Sequence, residues 1–228
     1  MNVPALNANG AVTRVVALAG ATGLVGRAIM EGLLADESVA AVHALGRRKP
    51  DVVHPKLTPY IVNFATLPPL PPLDEVYLAL GATIKAVGSR AAFRAVDLDA
   101  SLAVARAALA AGARRAGLVS SMGADTKSRI FYNRVKGETE EALARLPFDG
   151  LVIARPSLLV GDREALGQPA RPAERVGMAL CRLLGPLVPT DYRPVAAADV
   201  ARSLLARVPA ARGREVLPSG EMRLSTPH

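Results

Sequence analysis

Short apolar runs alternating with helix-period segments along nearly the whole chain predict an α/β protein built on one doubly wound parallel sheet. Two further observations support this. The first apolar run, Thr13 to Ala19, is continuous instead of alternating, as in a strand covered on both faces. It leads directly into Gly20-Ala-Thr-Gly23-Leu-Val-Gly26, and an amphipathic segment follows. The 228 residues suit a single domain with a well-buried core and are too few for two.

Taken in order, Leu24 to Leu34 carries apolar residues at helical spacing (Leu24, Ala28, Ile29, Leu33), so the glycines sit at a strand-to-helix junction. Ala40 to Leu45 and Leu57 to Phe64 read as the second and third strands, with no room between them for a full helix. Leu67 to Pro72 is proline-rich and must be a loop, because proline removes backbone donors and fixes φ. Glu75 to Leu80 is a fourth strand. Arg90 to Ala111 is Ala-rich and predicts one long helix, stopped by Gly112. Ala116 to Ser120 is a fifth strand, Tyr132 to Leu146 a helix ended by Pro147, and Leu151 to Ala154 a sixth strand. From Gly161 the chain turns irregular, and residues 161–195 are expected to form a small C-terminal cap over a substrate, with a helix over Glu174 to Leu184. Val195 to Val208 predicts another helix, and Gly213 to Leu224 a short final strand.

Composition excludes several classes. No apolar stretch approaches the ~20 residues of a membrane-spanning helix. The lone Cys181 cannot build a disulfide framework, and His43, His54 and His228 are scattered, which disfavours a metal site. Residues 1–12 lack a basic segment followed by an apolar one, so the reading is an untargeted, cytoplasmic protein. The net charge of +8 could suit nucleic acid. Its distribution argues otherwise: only five of 28 basic residues are lysines, and the arginines are dispersed from Arg14 to Arg223. No nucleic-acid partner is expected.

The glycine spacing permits a tight turn, close approach of backbone to a pyrophosphate, and close helix-to-strand packing. Phosphate would then meet free N–H groups at a helix N-terminus. Arg47 and Arg48 follow the second strand, where dinucleotide folds distinguish a 2′-hydroxyl from a 2′-phosphate. No acidic residue stands there, and two guanidiniums suit the phosphate, which favours NADP(H) over NAD(H). Tyr132 and Lys136 are one helical turn apart and share a face. A lysine there can lower the phenol pKa and hold a ribose, leaving Tyr132 to exchange a proton with a carbonyl oxygen. Ser120 and Ser121 end the fifth strand, at the edge where such sheets bind ligands. Adjacent strand residues face opposite ways, so either could point inward, and Ser121 is narrowly preferred.

With these motifs in hand, the chain resembles the short-chain dehydrogenase/reductase superfamily. More narrowly, it resembles the atypical branch of NAD(P)-binding proteins related to Tat-interacting-protein oxidoreductases, through GATGLVG, LGRR (45–48), ALGAT (79–83), VSSMGAD (119–125), YNRVKGETE (132–140) and ARPSLLVGDR (154–163). The resemblance implies a Rossmann-like domain with NADP(H) held along Gly20, Thr22, Gly23, Leu24, Val25 and Gly26, by Arg47 and Arg48, and by the Leu80–Gly81 turn. It implies catalysis by Ser121, Tyr132 and Lys136, the last two also contacting the cofactor, with Leu158 and Leu159 lining the nicotinamide end. Two departures stand out: Asp97 occupies the region of the long helix where many members carry a relay asparagine, and Asn63 stands where an aspartate commonly meets the adenine. The expected function is NADPH-dependent reduction of a small, apolar carbonyl compound. The alternative is an NADPH-binding regulatory or assembly protein that contacts a protein partner and turns over little. A homodimer through the two long helices would also fit their apolar faces.

Overall fold

The computed structural model describes residues 13–82, 84–160 and 189–223. In chain order these form β1 (Arg14–Ala19), α1 (Leu24–Ala35), β2 (Val39–Gly46), β3 (Leu57–Ile61), β4 (Glu75–Leu78), α2 (Ile84–Val87) and α3 (Arg90–Arg94). A π-helical turn (Ala95–Asp99) then joins α3 to α4 (Ala100–Ala110), followed by β5 (Arg115–Val119), α5 (Phe131–Ala144), β6 (Gly150–Arg155) and β7 (Leu159–Val160). After the undescribed stretch come β8 (Val195–Ala196), α6 (Ala197–Arg207), β9 (Gly213–Pro218) and α7 (Ser219–Arg223).

Among the described residues, seven strands make one sheet in the order β3-β2-β1-β4-β5-β6-β9, every pairing parallel. The period-two geometry of a strand divides the core. On β1, Val16 and Leu18 join one apolar layer with Ile29 and Leu33 of α1 and Val200 and Leu204 of α6. Ala17 and Ala19 join the opposite layer, with Val104, Ala105 and Ala108 of α4 and Leu143 of α5. Helices therefore cover both faces, which is why β1 reads as an unbroken apolar run. Each fully buried leucine or isoleucine contributes about 1.5–3 kcal/mol through the area it removes from water. The inward positions of α4 and α5 are spent on this core, which accounts for the apolar pattern that would otherwise invite a helix-to-helix contact between copies. Among the described residues, no helix is long and apolar enough to cross a membrane.

The chain winds outward in one direction through β1, β2 and β3 and in the other through β4, β5, β6 and β9. A crevice therefore opens at the carboxyl ends of β1 and β4, the switch point where open α/β sheets bind ligands.

Three elements differ from expectation. The segment 90–111 is not one regular helix: propensity favoured continuity, but a π-helical turn interrupts it at Ala95–Asp99. The helix expected from Val195 begins at Ala197, because Val195 and Ala196 pair with Leu159 and Val160 as a two-stranded ribbon. Two-residue strands carry too little periodicity to be read from sequence. The final segment is β9 followed by α7 instead of strand throughout. Most of the expected cap, including the helix over 174–184, lies outside the described residues.

Candidate active site

The first wall of the crevice is the glycine turn. Gly20 adopts φ +92°, a left-handed conformation that L side chains rarely occupy. A Cβ on it would lie 2.5 Å from the Ala79 carbonyl oxygen, so the turns after β1 and β4 touch backbone to backbone. The Gly20 carbonyl accepts the Gly23 N–H at 2.9 Å. A Cβ on Gly26 would fall well inside contact of the Gly20 oxygen and 2.7 Å from its carbonyl carbon, so α1 approaches β1 as closely as only glycine allows. Gly23 caps α1 with no side-chain hydrogen bond, and no acidic residue lies in the first turn. The first-turn N–H groups of α1 thus have no partner within the helix and sit at its positive end. A tight glycine turn packed backbone to backbone, with uncapped first-turn N–H groups of α1 beside it, is a donor set that fits a dinucleotide pyrophosphate.

Arg47 and Arg48 are exposed just past β2, and neither forms an ion pair among the described residues. Asn63 spends its side-chain oxygen on the Ala65 N–H at 3.0 Å, closing the Asn63–Thr66 turn. Leu80 packs against the second core layer and Gly81 is exposed. A Cβ on Gly81 would stand 4.0 Å from Lys136 Nζ, which brings the turn after β4 and the helical lysine together. Leu159 is half-buried in β7 and packs on the first core layer.

On α5, Tyr132 is half-buried and its ring leans on Phe93 at 5.3 Å between centroids. Lys136 is 6% exposed, and its Nζ lies 2.6 Å from Asp97 Oδ1 and 3.5 Å from the Val119 carbonyl oxygen at the end of β5. Burial is the largest influence on the ammonium and would lower its pKa. Asp97, with Tyr132 and Glu140, outweighs burial and raises it above the ordinary lysine value.

The two serines separate clearly. Ser120 is buried and its hydroxyl donates to Glu140 Oε1 at 2.5 Å. Ser121 is half-buried and donates to the Met122 carbonyl at 3.0 Å. Glu140 itself anchors the floor. Its carboxylate, 2% exposed, takes a forked pair from Arg155 Nη2 at 2.6 Å and Nε at 2.9 Å, with Arg214 Nη2 at 3.5 Å. It thereby ties α5 to the ends of β5, β6 and β9. Breaking a buried pair by deleting one partner strands the other charge. Arg155 keeps a third of its side chain in water, so the full penalty does not apply. Glu140→Ala is expected to cost about 2–3 kcal/mol and lower Tm by roughly 4–12 °C in a thermal melt, and Glu140→Gln by less.

The sequence did not single out Glu140, and it marked Asp97 only as standing in place of an asparagine, not as the partner of Lys136. Glu140 repeats the four-residue step of Tyr132 and Lys136 on one helix, and that spacing could have revealed it. The pairing of Asp97 with Lys136 had no such signal, because a π-helical turn breaks the regular helical register there.

A left-handed glycine turn beneath an uncapped helix, at the switch point of this strand order, places the molecule in the Rossmann-like α/β class. Solved structures share the fold. MoeE5, in complex with UDP-glucose and NAD, superposes with a TM-score of 0.65 at 19% identity, over 89% of this chain and 74% of that one. The Bordetella bronchiseptica enzyme WbmG, in complex with NAD, gives 0.66 at 15% identity over 95% and 76%. No family model matches the chain. The mitochondrial protein Fmp52 of Emericella nidulans is 38% identical over 180 residues, 75% of this chain and 76% of the relative. Fmp52 of Coccidioides immitis is 37% identical over 164 residues, 65% and 67% respectively. The chain belongs to the Fmp52 family.

These relatives are named as mitochondrial proteins, which overturns the cytoplasmic expectation. That expectation rested on the lack of a basic segment followed by an apolar one, which is the mark of a secretory leader. Mitochondrial leaders are amphipathic and Arg-rich, and such a test does not sense them.

Proposed function

We propose that the chain is an NADPH-dependent oxidoreductase that reduces a small, apolar carbonyl compound. The observation that carries this reading is the meeting of the Gly20–Gly26 cradle, through the Ala79–Gly81 turn, with Lys136 on the helix that also bears Tyr132. The sequence likeness to the Tat-interacting-protein branch supports it. Bound NADPH would supply the hydride. The Gly20–Gly26 turn and the first-turn N–H groups of α1 would hold the pyrophosphate, and Arg47 and Arg48 the 2′-phosphate. The Ser120 hydroxyl is buried on Glu140, whereas half-buried Ser121, whose hydroxyl donates to the Met122 carbonyl, would exchange that bond to orient the substrate carbonyl. Tyr132 then donates its phenolic proton to the carbonyl oxygen, with the Lys136 ammonium nearby to steady the phenolate that forms.

Calorimetric titration of nucleotide-free protein with NADPH and, separately, NADH tests the reading. Micromolar or tighter NADPH binding with preference over NADH is expected. Because the solved neighbours hold NAD, the decisive comparison is Arg47→Ala with Arg48→Ala. Losing charge-assisted hydrogen bonds should weaken NADPH roughly 10- to 100-fold and leave NADH unchanged. No binding of either nucleotide would overturn the function and the role of Tyr132 with it.

A second reading is a nucleotide-binding regulatory or assembly protein with little turnover. It is favoured by Asp97, which pairs with Lys136 in the region where a relay asparagine would be expected. It predicts tight NADPH binding with no oxidation across a broad carbonyl panel.

A further inference from the structure

Two costly features coincide at Asp97. Its side chain is fully buried, and a buried ion pair stabilises a fold poorly because both ions lose their water. It also stands inside a π-helical turn, an irregularity that a segment as Ala-rich as 90–111 does not call for by propensity. The extra residue of such a turn rotates the helix face by about 100° relative to a regular helix. The effect is to turn Asp97 inward while Val104, Ala105 and Ala108 of α4 still meet the sheet. There, Oδ1 takes the Lys136 ammonium at 2.6 Å and Oδ2 accepts the Ala82 N–H at 3.2 Å, from the turn after β4. One carboxylate therefore joins the helix that carries Tyr132 to the wall of the crevice that touches Gly20.

We propose that Asp97 is a positioning residue, which holds the Lys136 ammonium at one point against the Ala79–Ala82 turn so that lysine and crevice wall are set together. Its consequence for nucleotide binding and turnover rests on the proposed oxidoreductase function, but its hold on Lys136 does not. Among the described residues, the groups facing Lys136 Nζ are few. Asp97 approaches from the π-helical turn, Tyr132 and Glu140 from its own helix, the Val119 carbonyl from β5, and the backbone of Gly81 from the turn after β4.

The test is acylation of the full-length, nucleotide-free chain by a small succinimidyl ester, followed by peptide mass spectrometry from neutral to alkaline pH. Wild type, Asp97→Asn and Asp97→Ala are compared, with exposed Lys49 and Lys127 as internal standards. Asp97→Asn keeps the size and the acceptor for Ala82 and removes only the charge, so it serves even where Asp97→Ala fails to fold. Without the carboxylate, burial favours the neutral, nucleophilic amine. Lys136 should acylate roughly tenfold faster in Asp97→Asn, with its labelling profile moved to lower pH. NADPH affinity should fall in the same variant. Unchanged Lys136 labelling would overturn the proposal, even alongside a lower Tm, since that combination assigns Asp97 to packing alone. If the wild type binds no dinucleotide, the oxidoreductase reading fails, while the labelling comparison still decides the role of Asp97.

Discussion

Replacing Tyr132 with phenylalanine is expected to lower turnover of a carbonyl substrate by roughly 10²- to 10⁴-fold, the usual worth of a positioned proton donor, while nucleotide affinity is kept. The substitution is clean for structural reasons. The phenol oxygen has no hydrogen-bond partner among the described residues, and the ring contact with Phe93 at 5.3 Å survives in phenylalanine. No buried group is stranded and no cavity opens, so Tm should stay within the small range of a neutral substitution. Steady-state kinetics beside a thermal melt and a nucleotide titration separate the effects. Retained turnover would remove Tyr132 as the proton donor and, with it, the mechanism.

Gly26→Ala should produce a large loss of stability for a single methyl addition. Helix propensity alone predicts the opposite sign, because alanine exceeds glycine in a helix interior by about 1 kcal/mol. The added Cβ would meet backbone: the Gly20 carbonyl oxygen well inside contact, its carbonyl carbon at 2.7 Å and the Ala21 Cα at 3.3 Å. Those atoms belong to the turn that joins β1 to α1, and they cannot yield without lifting the helix from the sheet. The expected cost is about 3 kcal/mol or more, a drop of roughly 6–12 °C in Tm, with nucleotide binding lost as the cradle opens. Gly23→Ala makes a useful contrast, since its Cβ would sit 3.3 Å from the Gly20 oxygen and 4.0 Å from that of Ala79. A melt in which Gly26→Ala is as stable as wild type would refute the close approach of α1 to β1.

Most of the sheet was legible in the chain because its physics is local. Strands covered on both faces write themselves as unbroken apolar runs, so β1, β4, β5 and β6 could be placed to within about two residues. The glycine turn was legible for a related reason. A left-handed φ at Gly20 and a backbone contact at Gly26 leave almost no other residue that fits, and a spacing of three between glycines just after a strand has few other uses. Tyr132 and Lys136 stand one turn apart on a helix, and any sequence displays that spacing. The ribbon of β7 and β8 was not legible, since each strand borrows its order from a partner more than thirty residues away and has no period of its own.

The parallel α/β class, the strand-to-helix junction that makes the cradle, and the helix face shared by Tyr132 and Lys136 can thus be read from the chain alone. Each follows from steric limits or periodicities acting over a few neighbouring residues. Which serine is buried on a carboxylate emerges only on packing, because Ser120 and Ser121 are equivalent until Glu140 arrives from α5 to take the hydroxyl of Ser120. Packing likewise brought Asp97 to Lys136. Thirty-nine residues separate them, and the π-helical turn that aims the carboxylate defies the regular helix that local propensity favours. Buried charges choose their partners by what the fold leaves within reach, and a linear spacing cannot show that choice.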